Sequence, residues 1–158
     1  MGIAKEAGIA NGSLFTYFET KSQLFNQLYL ELKREMASVA MKDFPADAEL
    51  QDQFFHIWRN WGNWAVRFPE KRKALAQLCV SDEITPETRA AGHKVMAPVA
   101  ELLERVHVAG PMRRVPMSFV AALMNSVADA TMDQMIQDPG HAKTHCKNGV
   151  EALWRMLT

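Results

Sequence analysis

Apolar residues along this chain return every three or four positions, and the strict alternation that marks a half-buried strand is nearly absent. The pattern predicts an all-α fold of six or seven helices. A short segment at residues 3–7 stops at Gly8, and a second runs from about 11 to 18, which is a helix-turn-helix spacing. Thr20 marks the start of a long helix. Its hydroxyl can accept a free first-turn amide, and Gln23, three residues on, can return the bond as a capping box. Leu24, Phe25, Leu28, Tyr29, Leu32, Met36 and Val39 form the apolar stripe of this helix. It should stop before Pro45, because the residue ahead of a proline is driven out of the helical region.

Asp47 is the expected cap of the next helix, in which Leu50, Phe54, Ile57, Trp58, Trp61, Ala65 and Phe68 recur at helical spacing. Pro69 ends that helix and can open a short one over about 70–80, with Leu75, Leu78 and Cys79 inward. Residues 81–85 read as a polar connection. Thr85, Pro86 and Glu87 then combine a cap, a proline at the first helical position and an early negative charge. The helix they open buries Val95, Met96, Val99, Leu102, Leu103 and Val106, has a kink expected at Pro98, and closes at Gly110 and Pro111. Two further helices, over about 116–137 and 141–157, flank the turn Asp138, Pro139 and Gly140. Repeats, low-complexity tracts and long linkers are absent from the sequence.

At 158 residues the chain can bury one good core with a small leading unit attached. Its 48% hydrophobic and 23% charged residues describe an ordinary globular protein. Lysine and arginine, 18 together, balance 18 acidic residues, so composition carries no signal for nucleic acid and any such function must rest on local sequence. No run of about 18 uninterrupted apolar residues and no leader pattern occurs, so a cytoplasmic location without membrane attachment is expected. Cys79 and Cys146 stand far apart without a paired-thiol motif, as suits free thiols in a reducing compartment.

Chemistry-bearing detail is concentrated at residues 3–25. Ala4, Ala7, Gly8, Gly12, Leu14, Tyr17, Phe18, Lys21, Leu24 and Phe25 stand there in an order and spacing that closely resemble the signature of the tetracycline-repressor-like (TetR) family. On physical grounds, Ala7 and Gly8 let two helices approach, while Ile3, Ile9, Leu14 and Phe18 supply a small core. Asn11, Ser13, Thr16 and Tyr17 are left to face a DNA groove. The resemblance implies that Gly12, Ser13 and Thr16 meet bases or adjacent backbone, and that Tyr17 and Lys21 hold phosphates. Asn11 is the candidate for direct base readout, since an amide can bond adenine at two points. Phe15 departs from a frequent tyrosine, and Glu19 brings a negative charge near the expected DNA face.

The family places a further basic helix ahead of Ile3, where this sequence has Met1 and Gly2. The resemblance therefore implies a helix-turn-helix domain without its first helix over residues 1–43, and weak or absent binding of operator DNA. Loss of such packing costs about 2 to 5 kcal/mol per large side chain. Residues 44–158 are then the helical ligand-binding and dimerisation domain. For an apolar or amphipathic effector the candidate walls are Phe54, Trp58, Trp61, Met96, Phe119, Met124 and Met132, with His56, His93 or Asn125 available to orient it. In similar proteins the last two helices form a homodimer interface, and Val127, Met135, Val150, Leu153 and Trp154 are its candidates here. Such a dimer reads half-sites about 34 to 36 Å apart.

The function implied is a ligand-responsive transcriptional repressor with no cofactor and no catalytic site. The alternative is a DNA-independent helical dimer that binds a small apolar ligand or a partner protein. His141 and His145 share a helical face with Cys146 beside them, but no glutamate base lies between the histidines as a zinc hydrolase would need. No metal site is expected.

Overall fold

A computed structural model describes residues 20–158, and the helix-turn-helix expected within residues 3–18 lies outside them. Among the described residues every regular element is helical: α1 (Lys21–Met41), α2 (Leu50–Arg67), α3 (Pro69–Cys79), α4 (Pro86–Val95), α5 (Ala97–Ala109), α6 (Met117–Gln137) and α7 (Ala142–Leu157). A single 3₁₀ turn, Pro139–His141, leads into α7. The described chain divides into two compact units, residues 20–38 with 68–97, and residues 39–67 with 98–158.

In the first unit α1 begins where the cap predicts, with the Gln23 amide donating to the Thr20 hydroxyl at 3.0 Å. Leu24, Phe25, Leu28, Tyr29 and Leu32 of its stripe are buried. α3 starts on Pro69 and buries Ala74, Leu75 and Leu78, whereas Cys79 is only partly covered. Thr85 caps α4 by accepting the Thr88 amide at 3.1 Å.

The single kinked helix expected over 86–109 is instead two helices. α4 ends at Val95, and Met96 (φ −87, ψ 4) has left the helical geometry. Pro98 then stands in the first turn of α5, where its missing amide is one of those with no intrahelical acceptor in any case. A second difference concerns the cap of α2. The first intrahelical bond runs from the Gln53 amide to the Glu49 carbonyl at 3.0 Å, so Glu49 rather than Asp47 stands at the helix boundary. Residues 46–47 are taken up by a turn. α1 is terminated by Asp43, whose φ of 53 lies in the left-handed region that a short polar side chain tolerates.

In the second unit α6 and α7 pack on each other and both pack on α2. The core joins Phe54 and Trp58 from α2, Val106 from α5, Val120, Met124 and Met135 from α6, and Cys146, Val150, Leu153 and Leu157 from α7. Two glycines let helices meet without a side chain between them. A β-carbon on Gly62 would lie 2.9 Å from the Met135 terminal methyl, and one on Gly149 would collide with the Thr131 side chain. Gly110 is seated against the Leu157 carbonyl, a place no larger residue can take without displacing backbone.

Candidate functional site

Asn11, Gly12, Ser13, Thr16 and Tyr17 lie outside the described residues, and Lys21 is the one DNA-contact candidate among them. Lys21 is the first residue of α1, exposed, with its ammonium 5.2 Å from the centroid of the Phe25 ring. The helix behind it is tightly fixed. Asn26 donates to the Glu83 carbonyl at 2.8 Å and accepts the Thr85 amide at 3.0 Å, tying α1 to the connection between α3 and α4. Arg89 grips the same connection through the carbonyls of Cys79 (2.9 Å) and Ser81 (3.0 Å). Tyr29 is buried against Gly92, and that burial pushes its phenol above the ordinary value, with Cys79 adding to the rise and Arg89 opposing it.

Of the candidate ligand walls, Phe54, Trp58, Met124 and Met132 come together as buried core in the second unit. Trp61 is half-buried beside Trp58, Met132 and Met135, and the gap these residues leave measures about 10 Å³. That is roughly the room of one water, so the apolar wall is closed on itself in this structure. Met96 belongs to the first unit, and Phe119, in the second, is 55% exposed. His56 is already engaged, with Nε2 2.7 Å from the Lys42 carbonyl and its ring edge-on to Phe44. His93 and Asn125 are exposed.

Among the interface candidates, Met135, Val150 and Leu153 are buried inside the single chain, because α6 and α7 turn these residues toward α2 and each other. Val127 and Trp154 remain half-buried. Trp154 packs its ring 5.5 Å from Phe54 and 5.9 Å from Phe55.

His141, His145 and Cys146 do not converge. Cys146 is buried, and burial raises its thiol pKa, opposed by the nearby Arg59 charge. Both histidines turn instead to Asp138, with His145 Nε2 at 2.9 Å and His141 Nδ1 at 3.1 Å from the same carboxylate oxygen. These bonds, that of His145 first, hold the Asp138 carboxyl below its ordinary value. Among the described residues no set of three metal-ligating side chains is assembled.

The feature that sequence reasoning missed is an open groove of about 360 Å³ on the second unit. Phe55, Arg59 and Asn63 of α2 form one wall, and Lys143, Cys146, Lys147, Val150 and Glu151 of α7 form the other. Its lining recurs four apart at Phe55, Arg59 and Asn63 on α2 and at the charged Lys143, Lys147 and Glu151 on α7, a spacing that by itself reads only as a solvated face. A second set of residues was also missed. Gln53, His56 and Asn60 lie along one side of α2 and turn their polar groups to backbone carbonyls of residues 39–46, with Asn60 donating to Val39 at 2.9 Å and Gln53 to Ala46 at 2.9 Å.

Comparison with known proteins places the chain's beginning and its fold. Residues 2–28 match the family profile described as bacterial regulatory proteins, tetR family. The fold is similar to that of a protein from Shewanella sp. PV-4 assigned to the tetR family of transcription regulators, with a TM-score of 0.77 and 24% identity over 97% of this chain and 83% of that one. It is also similar to a TetR family transcription regulator from Marinobacter aquaeolei VT8, with a TM-score of 0.76 and 18% identity over 96% and 80% of the two chains. Among the described residues no helix is long and apolar enough to cross a membrane.

Proposed function

We propose, starting from the chain's membership of the TetR family of transcription regulators, that it is a cytoplasmic, dimeric repressor that releases operator DNA when a small effector binds. The observation that carries this reading is the match over residues 2–28, which ends within α1, the helix opened by Lys21. Residues 1–43 are the DNA-reading part and residues 44–158 the regulatory part. In this reading Asn11 contacts a base edge, Gly12, Ser13 and Thr16 meet bases or adjacent backbone, and Tyr17 and Lys21 hold phosphates. The effector is apolar or amphipathic and is read by the helices of the second unit.

Dimerisation runs through α6 and α7. Phe119, 55% exposed on α6, supports this, as do the half-buried Val127 and Trp154, because an isologous contact would cover them. A coupling of about 1 to 3 kcal/mol between effector and operator sites suffices for a switch.

The test is a gel-shift titration on operator DNA selected from a random duplex library. Binding is expected to fall steeply with salt through counterion release. Lys21→Ala should weaken it about equally on all sequences and lower the salt slope by about one. Asn11→Ala should relax discrimination at one base pair. Salt-insensitive binding, or binding without sequence preference, would overturn the proposal.

A further inference from the structure

We infer that the groove between α2 and α7 binds a small amphipathic anion, its head group held by Arg59 and Lys143 and its chain laid along Phe55, Cys146 and Val150. The volume, about 360 Å³, falls in the roughly 300 to 1,000 Å³ range of small-molecule sites. Beside Asn63 and Lys143 a second opening of about 370 Å³ is lined by Val66, Arg67 and residues 139–144. The two openings adjoin, with Asn63 and Lys143 lining both.

The groove has a direction. Trp154 packs near Phe54 and Phe55, while the Trp58 indole reaches the Cys146 carbonyl, so ascending numbers on α2 meet descending numbers on α7. Asn63 and Lys143 therefore mark one end, Arg59, Cys146 and Lys147 the middle, and Phe55, Val150 and Glu151 the other. The cations without a carboxylate partner stand toward the first end. Glu151 sits 3.9 Å from both Lys147 and Arg155, so its carboxylate is already matched. Arg59 and Lys143 are exposed, and among the described residues neither has a carboxylate partner.

Three cations against one carboxylate line the groove, although the whole chain is neutral, with 18 basic and 18 acidic residues. The local excess thus does not follow from general basicity. Charge selects an anion, and the apolar floor selects one carrying a hydrocarbon chain, whose removal from water favours binding.

As an effector site, this groove rests on the regulator reading, whereas binding itself does not. The experiment is isothermal titration of the full chain with dodecanoate below its micellar concentration, set beside dodecanol. Dodecanoate is expected to bind one per chain, and dodecanol at least tenfold more weakly. The exposed-site variant Arg59→Glu/Lys143→Glu should lose at least tenfold in dodecanoate affinity with unchanged thermal unfolding. Equal affinity for dodecanol, or full affinity in the double variant, would overturn the inference. Dodecanoate bound in the groove with no effect on the operator complex would sustain the site and count against the effector reading. Release of operator by some other compound, with no dodecanoate binding, would do the reverse.

Discussion

The indole nitrogen of Trp58 donates a hydrogen bond to the backbone carbonyl of Cys146 at 3.1 Å, joining two residues 88 positions apart in the buried centre of the second unit. The bond aligns α2 with α7 and so sets the two walls of the groove. Replacing Trp58 by Phe keeps an aromatic ring but removes the donor. The carbonyl keeps its own place in the helix ladder, so the expected loss for the bond is about 0.5 to 1.5 kcal/mol, read as a lowered urea midpoint with an unchanged m-value.

Gly149 and Thr131 form a close crossing of α6 and α7. A methyl group on Gly149 would overlap Thr131 Oγ1 and Cγ2, so Gly149→Ala should destabilise the chain by about 1 to 3 kcal/mol despite alanine's better helix propensity. Thr131→Ala removes both offending atoms, together with the hydroxyl's 2.7 Å bond to the Val127 carbonyl. The double variant should therefore be more stable than the sum of the two single losses. A double-mutant cycle by chemical denaturation reads this coupling, and strict additivity would refute the crossing described.

Asn26 serves the first unit as a two-sided clamp on Glu83 and Thr85. Asn26→Ala leaves a carbonyl and an amide of the connection without that partner, and the expected cost is about 1 to 3 kcal/mol. Asn26→Asp retains an acceptor for the Thr85 amide but loses the donor to Glu83, and should fall between the two. Hydrogen exchange at Thr85 separates these outcomes, with the amide expected to exchange faster in the alanine variant only.

Asp138 should titrate below its ordinary value of 3.8 in the folded chain. Because the folded-state value is the lower one, the stabilising effect is complete above the unfolded-chain value and is lost as pH falls through the folded one. The side chain is close to half exposed, so solvent screening keeps the effect small. His145→Ala removes the largest cause and should move the Asp138 carboxyl resonance upward in pH. His141→Ala should move it less, and equal shifts from the two variants would contradict the hydrogen-bond geometry.

Local chemistry was largely legible in the sequence, and long-range placement was not. Thr20 and Thr85 announce helix starts because a cap and its amide lie three residues apart, within reach of a local reading. The Val95 to Ala97 break was missed because Pro98 is compatible with either a kink inside one helix or the first turn of a second. Phe119 carries the same apolar signal as Val120, yet one is 55% exposed and the other 1%. Their positions on α6 differ by one step of about 100°, and only the packed neighbours decide which of them faces inward. The groove was the least legible feature. Arg59 and Lys143 acquire a common role only when α2 and α7 lie antiparallel, which no periodicity within either helix can state.

The glycine contacts at Gly62 and Gly149 also bear on how the second unit can move. Each is a notch into which a neighbouring side chain is keyed, Met135 and Cys146 at Gly62, and Thr131 at Gly149. Axial sliding would drive these side chains against the bulkier residues bordering each notch, so shear along the helices is expected to be blocked. Rotation about the notch leaves the keyed contact in place while opening the far ends of the helices. The bundle should therefore behave as a set of levers with fixed fulcra. A molecule wedged along α2 would then produce its largest displacement at the helix ends rather than beside the ligand.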